Sequence, residues 1–506
     1  MQDAIPSPVP TTRVRLAAPA TWLRASVPVS WVQFGMLLAV LAALPFARGV
    51  DNDFWWHLRT GQYIFESGIP RHDPFSWTAA GQPWVMHEWL SEAIIYAVQS
   101  AFGYIGNMVL FIGVSLASIA ISYALARRLG AGTKLLVGLL VLTTLTFTIF
   151  ITPRPQDFTW LLFSIYLYVL TRHYEGDDIA LWPLPVLMAF WVNLHLGFYY
   201  GLMLVGCWIA ALLVEALRGQ AHTFTARVAS LRTPLIVAAA CVLATFANPS
   251  GPAILLYPLR YVFDAQVTNS MVSEWQRPDI TWTLHWSIFI TAGVLVLMLL
   301  SRTRPRPFLA LVSIIVVALS MQAVRNAPFA ALVLLPVAGS AIAARWPAAS
   351  SARDADVRVP IFAAAAMVAS IALIVGPISL SIAGQSVSLG TPSSEGYPSA
   401  GADFVRAHYP DQRMFNDYNS GGYLIYKLYP EVPVFVDGRT DFYGNALLKD
   451  YIQIDHAEPG WDELLRKYGV QVILIDKGIP LATALTKDAG WQQQFSDDVA
   501  VVYTRR

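Results

Sequence analysis

The sequence predicts a polytopic α-helical membrane protein with a small α/β domain at its C-terminal end, and three observations predict it. The chain of 506 residues is 56% hydrophobic and only 13% charged, roughly half the charged fraction of an ordinary soluble domain. Apolar stretches of about 20 residues, the length that crosses a bilayer core as a helix, recur from residue 30 to residue 384. Beyond 384 that pattern stops. Ser, Gly and Pro dominate 385–400, and short strand-like and helix-like runs alternate to the end. The net charge is +1, and no basic patch points to a nucleic-acid partner. Cys207 and Cys241, the only cysteines, fall inside apolar segments, which argues against a structural disulfide or a cysteine metal site.

Residues 1–29 are Pro-rich, carry Arg13, Arg15 and Arg24, and read as a cytoplasmic tail. They form too long a lead for a cleaved signal peptide, so 30–48 is expected to stay as the first span. Further spans are expected at 105–126, 133–152, 157–173, 180–195, 197–217, 232–248, 284–301, 307–322, 325–344 and 359–384, about eleven in all. The segment 88–103 is apolar but short, and Glu88 and Glu92 stand at its start. The positive-inside bias arbitrates. If 88–103 does not cross, Arg13/Arg15/Arg24, Arg127/Arg128/Lys134, Arg172, Arg218/Arg227/Arg232, Arg302/Arg304/Arg306 and Arg345/Arg353/Arg358 all fall on one side. If it crosses, every later loop flips. The expected topology therefore puts the N-terminus in the cytoplasm, a transmembrane domain at 30–384, and an extracytoplasmic α/β domain at 385–506.

This topology collects the remaining polar residues on the outer side: Asp51, Asp53, His57, Asp73, His87, Glu88, Arg154, Gln156, Asn193, His195, Asn248, Glu274, Arg325 and Asn326. Few ionisable residues fall near the centre of a span, and no internal repeat is visible. Both features disfavour an ion-coupled transporter.

The first outer loop, 49–104, holds Trp55, Trp56, Trp77, Trp84 and Trp89, side chains that settle at headgroup level. At its start stands the acidic pair Asp51-Asn52-Asp53, followed by Phe54-Trp55-Trp56-His57. Carboxylates at a membrane edge are paired, hydrated or functional; a solvated helix-end turn is the plain alternative. Residues 53–67 fit a short amphipathic helix, and Asp73-Pro74-Phe75-Ser76 fits a turn. His57 and His87 read as packed interface aromatics. A His57/His87/Glu88 zinc site is the alternative, without the H-E-x-x-H spacing of metalloproteases.

Among the later outer groups, Arg154 in Pro153-Arg154-Pro155-Gln156 offers a planar fork of donors to phosphate or snorkels at the interface. His195 in Asn193-Leu194-His195-Leu196-Gly197 is a satisfied buried histidine or a phosphate contact, which spacing does not separate. Asn248-Pro249-Ser250-Gly251 reads only as a turn. Glu274-Trp275 lies in the second long outer loop, 249–283. Arg325-Asn326 starts a span from the outside, against the charge bias, which makes Arg325 a phosphate-binding candidate.

In the C-terminal domain, strands are expected at 413–416, 432–436, 470–475 and 498–503, with helices at 401–408, 420–428, 443–453 and 459–468. Trp461 to Gly469 is a helix that stops at glycine and feeds the run Val470–Ile475. Neither a P-loop nor G-x-G-x-x-G is present. Asn416-Asp417 and Asp437-Gly438-Arg439-Thr440-Asp441 follow strands, where α/β ligand sites lie, although ordinary turn chemistry also accounts for them.

The arrangement of a first span, an acidic pair at its outer end, a long loop, many spans and a small outer domain resembles the GT-C glycosyltransferases. The run from Asp51 through Trp55-Trp56-His57, Thr60-Gly61, Asp73-Pro74-Phe75-Ser76 and His87-Glu88-Trp89-Leu90 resembles a bacterial family within them, as do Trp191-Val192-Asn193-Leu194-His195 and Asp437-Gly438-Arg439. The resemblance implies an inverting glycosyltransferase of the bacterial inner membrane. Its donor would be a polyprenyl-phosphate-linked sugar held in membrane lipid, and its acceptor a glycan, lipid or protein. It implies a first-loop carboxylate as general base, Asp51 or Asp53. A divalent cation, Mg or Mn, would sit on Asp53 and Glu88. His57, His87, Glu88, Arg154, His195 and Arg325 would contact substrate and phosphate. The rivals are a transporter of lipid-linked glycan and a non-catalytic glycan-binding or assembly protein.

Overall fold

The computed structural model describes residues 50–147, 150–220, 224–258, 271–300, 306–345 and 396–506, together with 26–28, 358–360 and the single positions 32, 35, 39 and 394. The expected tail 1–29, the first span 30–48, the last span 359–384 and the linker 385–400 lie wholly or mostly outside the described residues.

Strand β1 (Ser26–Pro28) pairs antiparallel with β2 (Arg358–Pro360). Helix α1 (Asn52–Ser67) begins at Asp51, whose side chain caps it by accepting the Asp53 N–H at 2.9 Å. Helix α2 (Trp89–Arg128) is bent at Gly103, whose φ is 65°. The apolar helices α3 (Thr133–Phe147), α4 (Gln156–Tyr174), α5 (Pro183–Leu194), α6 (Phe198–Glu215), α7 (Phe224–Ala244), α8 (Trp286–Leu300), α9 (Pro307–Gln322) and α10 (Ala327–Arg345) follow. They pack around fully buried Trp160, Trp191, Trp208 and Phe163. Among the described residues, three helices are long and apolar enough to cross a membrane: Trp89–Arg128, Phe198–Arg218 and Val324–Ala341. Five other apolar helices are shorter.

The bend at Gly103 folds α2 back on itself. Asn107 Nδ2 donates to the Ile95 carbonyl at 3.2 Å, whereas twelve residues of straight helix span about 18 Å. Both ends of 89–103 consequently stay beside α1. Glu92 meets His57 at one end, and Tyr104 packs on Phe54 at 5.1 Å at the other.

Ion pairs sort the loops into two ends of the bundle. Arg128–Asp177 (2.7 Å), Arg172–Asp177 (2.8 Å) and Arg306–Glu175 (3.1 Å) gather at one end. The acidic pair, Arg154, Glu274 and the C-terminal domain gather at the other.

The C-terminal domain carries α11 (Ser399–His408), β3 (Met414–Asn416), α12 (Tyr418–Leu428), α13 (Thr440–Asp455), α14 (Trp461–Tyr468), β4 (Val472–Asp476), α15 (Pro480–Leu485), β5 (Trp491–Ser496) and β6 (Ala500–Arg505). The sheet order is β3-β4-β6-β5, with β3 parallel to β4 and the other pairs antiparallel.

One expected strand is corrected, and one strand not expected is present. Residues 432–436 are not a strand of this sheet. Val434 instead bridges to Ser76, with Val434 N–H donating to Phe75 O at 3.1 Å and Trp77 N–H to Val434 O at 3.0 Å. The first outer loop supplies the partner. The edge strand β5 escaped the sequence reading because its Gln492, Gln493 and Gln494 are exposed, and a polar edge carries no apolar alternation.

Candidate functional site

The site forms where α1 starts, between the bundle end and the C-terminal domain. Arg154, just before α4, lies among three carboxylates. Its Nε is 2.8 Å from Asp51 Oδ1, its Nη2 2.8 Å from Asp53 Oδ2, and its Nη1 3.0 Å from Glu274 Oε1. Burial works against the guanidinium charge, and Asp51, Glu274 and Asp53 more than offset it. The acidic pair and Arg154 are therefore direct partners. Glu274, from the second outer loop, completes the cluster. Its position beside Trp275 in an outer loop was the one signal in the sequence.

The two aspartates differ. Asp51 Oδ1 serves the helix cap and Arg154 Nε together. Asp53 accepts from Trp56 Nε1 at 3.1 Å and keeps 26% of its side chain exposed. Burial pushes its carboxyl up to about 6; Arg154 and the Trp56 hydrogen bond pull down, while Asp51 and Glu274 push up. The C-terminal domain covers this carboxylate closely. A Cβ at Gly438 would collide with Asp53 Oδ1, so a larger residue there would displace the carboxylate. Tyr397 Oη donates to Val50 O at 2.9 Å, fixing the residue before Asp51.

A second cluster lies deeper. His57 Nδ1 is 3.5 Å from Glu92 Oε1 and 4.0 Å from Glu88 Oε1, and His87 Nε2 is 3.7 Å from Glu88 Oε1. Burial, and then the Arg154 charge, hold His57 well below its usual range, so it is neutral. Burial pushes Glu88 up to about 7, with His87 opposing. Among the described residues, His57, Glu88 and Glu92 alone offer three ligand atoms within 4.8 Å of one another. Among the described residues, the buried Glu92 Oε2 has no hydrogen-bond partner. A neutral imidazole, two carboxylates and an orphaned buried oxygen fit a divalent cation, and the nitrogen donor suits Zn or Mn better than Mg. Glu88 thus has a metal-binding setting, whereas Asp53 lies on Arg154 outside this trio. Glu92 was missed as a candidate ligand. Its signal was an acid four residues after Glu88, one helical turn along the same face.

The turn carrying Glu88 is tied to the bundle. Trp89 Nε1 donates to Asn193 Oδ1 at 2.6 Å and Ser91 Oγ to Leu194 O. Asn248 Nδ2 reaches Met86 O, Val192 O and Asn193 Oδ1 at 3.1–3.3 Å. Asn248 is consequently more than the turn residue its sequence suggested: its one amide ties together the segments at Met86 and at Val192–Asn193.

On the other flank, Arg325 stacks over Trp275 at 4.5 Å. Among the described residues it has no carboxylate partner. Its charge is felt at His195 and Glu88. His195 Nδ1 lies 2.9 Å from Thr159 Oγ1 and 3.0 Å from the Gly197 N–H.

Asp73, read as a turn residue, and Arg439, from a cluster read as a ligand site or a turn, join the first loop to the C-terminal domain. Arg439 Nη1 meets Asp73 Oδ1 at 2.7 Å and Nη2 meets Asp437 Oδ2 at 2.6 Å, all three side chains being almost fully buried. Trp84 flanks the guanidinium at 4.5 Å and Phe75 at 5.3 Å. Asp73 also accepts from the Phe75 and Ser76 N–H groups, so it forms the expected turn as well.

No protein-family model and no curated protein matches the chain. Solved structures do. The oligosaccharyltransferase AglB from Archaeoglobus fulgidus, solved with an inhibitory peptide and a dolichol-phosphate, is 12% identical; it matches with a TM-score of 0.58 over 94% of this chain and 74% of its own. The mycobacterial arabinofuranosyltransferase AftD is 13% identical, with a TM-score of 0.50 over 95% of this chain and 40% of its own. ArnT from Cupriavidus metallidurans in the apo state is 15% identical, with a TM-score of 0.49 over 94% of this chain and 98% of its own. The likeness is one of fold: across most of its length the chain is structurally similar to the GT-C membrane glycosyltransferases.

Proposed function

We propose that this protein transfers a sugar from a polyprenyl-phosphate-linked donor to an acceptor at the outer face of a bacterial inner membrane, with inversion at the anomeric carbon. About eleven spans within 30–384, a cytoplasmic tail at 1–29 and an extracytoplasmic domain at 385–506 belong to this reading. The observation that carries it is the convergence, at one end of the bundle, of a carboxylate cluster with an arginine that has no carboxylate partner among the described residues.

In this reading Asp53 is the general base. Its carboxyl, at about 6, is ionised near neutral pH yet basic enough to take a proton. Asp51 is the positioning residue, because it caps α1 and orients Arg154. Asp53 takes the acceptor hydroxyl proton, the acceptor oxygen bonds to the anomeric carbon, and the polyprenyl phosphate leaves with the bonding pair. Arg325 and His195 stabilise the charge that grows on the departing phosphate. Arg154, held by three carboxylates, shapes the base rather than binding phosphate. His57, Glu88 and Glu92 would hold a divalent cation, which when bound supplies positive charge near the phosphate. His87 orients Glu88. The acceptor class is a glycan, lipid or protein hydroxyl.

The test is transfer by the full-length protein in lipid, with polyprenyl phosphosugars as donors. Asp53→Asn is expected to lose transfer by two orders of magnitude or more, roughly the worth of general base catalysis. Asp51→Asn is expected to lose less. Full transfer by Asp53→Asn would sink the assignment. A second reading, a non-catalytic glycan-binding protein, is favoured by one observation: Arg154 already pairs with every carboxylate of the cluster. Tight binding of donor without turnover by wild type would decide for it.

A further inference from the structure

We propose that Thr159 and Gly197 lock His195 as its neutral Nε2–H tautomer, so that it presents a fixed hydrogen-bond donor beside Arg325 to a phosphoryl oxygen. The inference rests on the donor phosphate lying at this flank. It adds a constraint on chemistry: His195 binds, and does not act as a proton donor or acceptor through its ring.

The argument begins at Gly197. Its backbone N–H lies 3.0 Å from His195 Nδ1. A backbone N–H can only donate, so Nδ1 must accept and carries no proton. Trp191 Nε1, also only a donor, gives its hydrogen to Thr159 Oγ1 at 2.9 Å. The Thr159 hydroxyl is then free to donate to His195 Nδ1, also at 2.9 Å. An imidazolium needs hydrogen on both nitrogens, so while these bonds hold, the ring is neutral with its hydrogen on Nε2.

The surroundings agree. The charged or titratable groups whose fields reach the ring are Arg325, His87 and His57, with no carboxylate among them. Helix α6 begins three residues on, at Phe198, and its positive end also disfavours a second proton. The lock requires glycine. A Cβ at Gly197 would lie 2.5 Å from both Thr159 Cγ2 and Oγ1 and 2.9 Å from His195 Nδ1. Among the described residues Nε2 has no hydrogen-bond partner, and His195 is only half-buried, which leaves that hydrogen for a ligand. Asn193, two residues earlier, anchors the same turn through Trp89 and the Ala189 carbonyl.

A donor of this kind suits a phosphate that gains charge as the sugar leaves. The hydrogen bond strengthens with the charge, and it needs no proton transfer to do so.

The experiment uses full-length protein in lipid nanodiscs with ring-¹⁵N histidine, the His195 signals being assigned by their loss in His195→Gln. The Nε2–H pattern is expected from about pH 5 to about pH 8, the range in which an ordinary histidine titrates. Thr159→Val, nearly isosteric, is expected to let the ring titrate or exchange tautomers, and Gly197→Ala to do the same where it folds. A wild-type ring that titrates in this range, or carries hydrogen on Nδ1, overturns the lock.

Binding of farnesyl phosphate gives the second arm. His195→Gln, whose amide nitrogen reaches the Nε2 position, is expected to bind nearly as wild type. His195→Asn, which replaces only Nδ1, is expected to bind about tenfold or more weakly. Equal affinities for the two variants overturn the donor role. Inorganic phosphate bound as tightly as farnesyl phosphate would overturn the lipid-borne source. If wild type binds no farnesyl phosphate, the glycosyltransferase reading fails, while the ring spectrum still decides the tautomer.

Discussion

Arg439→Met removes the guanidinium from a buried pocket that holds two carboxylates. Asp73 comes from the first outer loop and Asp437 from the C-terminal domain, 2.7 and 2.6 Å from the guanidinium. Arg439 Nε adds a bond to Asp437 Oδ1 at 2.7 Å. With the arginine gone, both aspartates remain buried, at 0% side-chain exposure, without their charge partner. Breaking a buried pair from one side costs about 3–5 kcal/mol. A loss of that size favours local opening by roughly two to four orders of magnitude.

The readout is amide hydrogen exchange in lipid nanodiscs. The segments to follow are 73–77 and 437–443, and also 432–436, whose Val434 is hydrogen-bonded to the first loop. The bundle core around Trp160 and Trp191 serves as internal control. A triple variant carrying Arg439→Met with Asp73→Asn and Asp437→Asn is expected to recover part of the protection, because the stranded charges are gone. Unchanged exchange in Arg439→Met would refute the view that this network joins the first loop to the C-terminal domain. Transfer should fall with the loss of protection, since Gly438, beside Arg439, packs on Asp53.

Transfer should rise with pH through about 6, the point to which burial pushes Asp53, because only the ionised carboxylate takes a proton. Arg154 pulls that carboxyl down, so Arg154→Gln should move the limb to higher pH; a limb that stays in place removes Asp53 as its origin. Gly438→Ala should cut transfer by about tenfold or more through displacement of the base, with the C-terminal domain still folded by circular dichroism; full activity would show that the roof can yield. Isothermal titration of Mn²⁺ or Zn²⁺ should reveal a site that Glu92→Gln weakens by about a hundredfold, and an unaffected isotherm would place the metal elsewhere. Asn248→Ala should loosen the turn at Met86–Glu88 in hydrogen exchange without unfolding the helices, whereas a globally unfolded variant would contradict a local tie.

Much of the fold was legible because it is written in local pattern. Hydropathy over about 20 residues marks helices, and each expected span that falls in the described residues contains one. The acidic pair could be read as a helix start because Asp is a strong N-cap. Trp461–Gly469 could be read as a helix and its stop because glycine takes the left-handed turn there, with φ 69°. The edge strand β5 was illegible because its exposed glutamines carry no apolar period.

The site divides in the same way. Its residue types and their common end of the bundle followed from charge bias and composition alone. The partners did not. Arg154 meets Asp51 from 103 residues away and Glu274 from 120, and Arg439 meets Asp73 from 366. Local sequence states what a side chain can donate or accept, but not which distant chain will stand within 3 Å of it. The sequence by itself determined a helical membrane protein with carboxylates, histidines and arginines at one face. Only the tertiary structure decided that Arg154 pairs with the acids and that Arg325, among the described residues, does not, because each outcome depends on close approach between segments far apart in the chain.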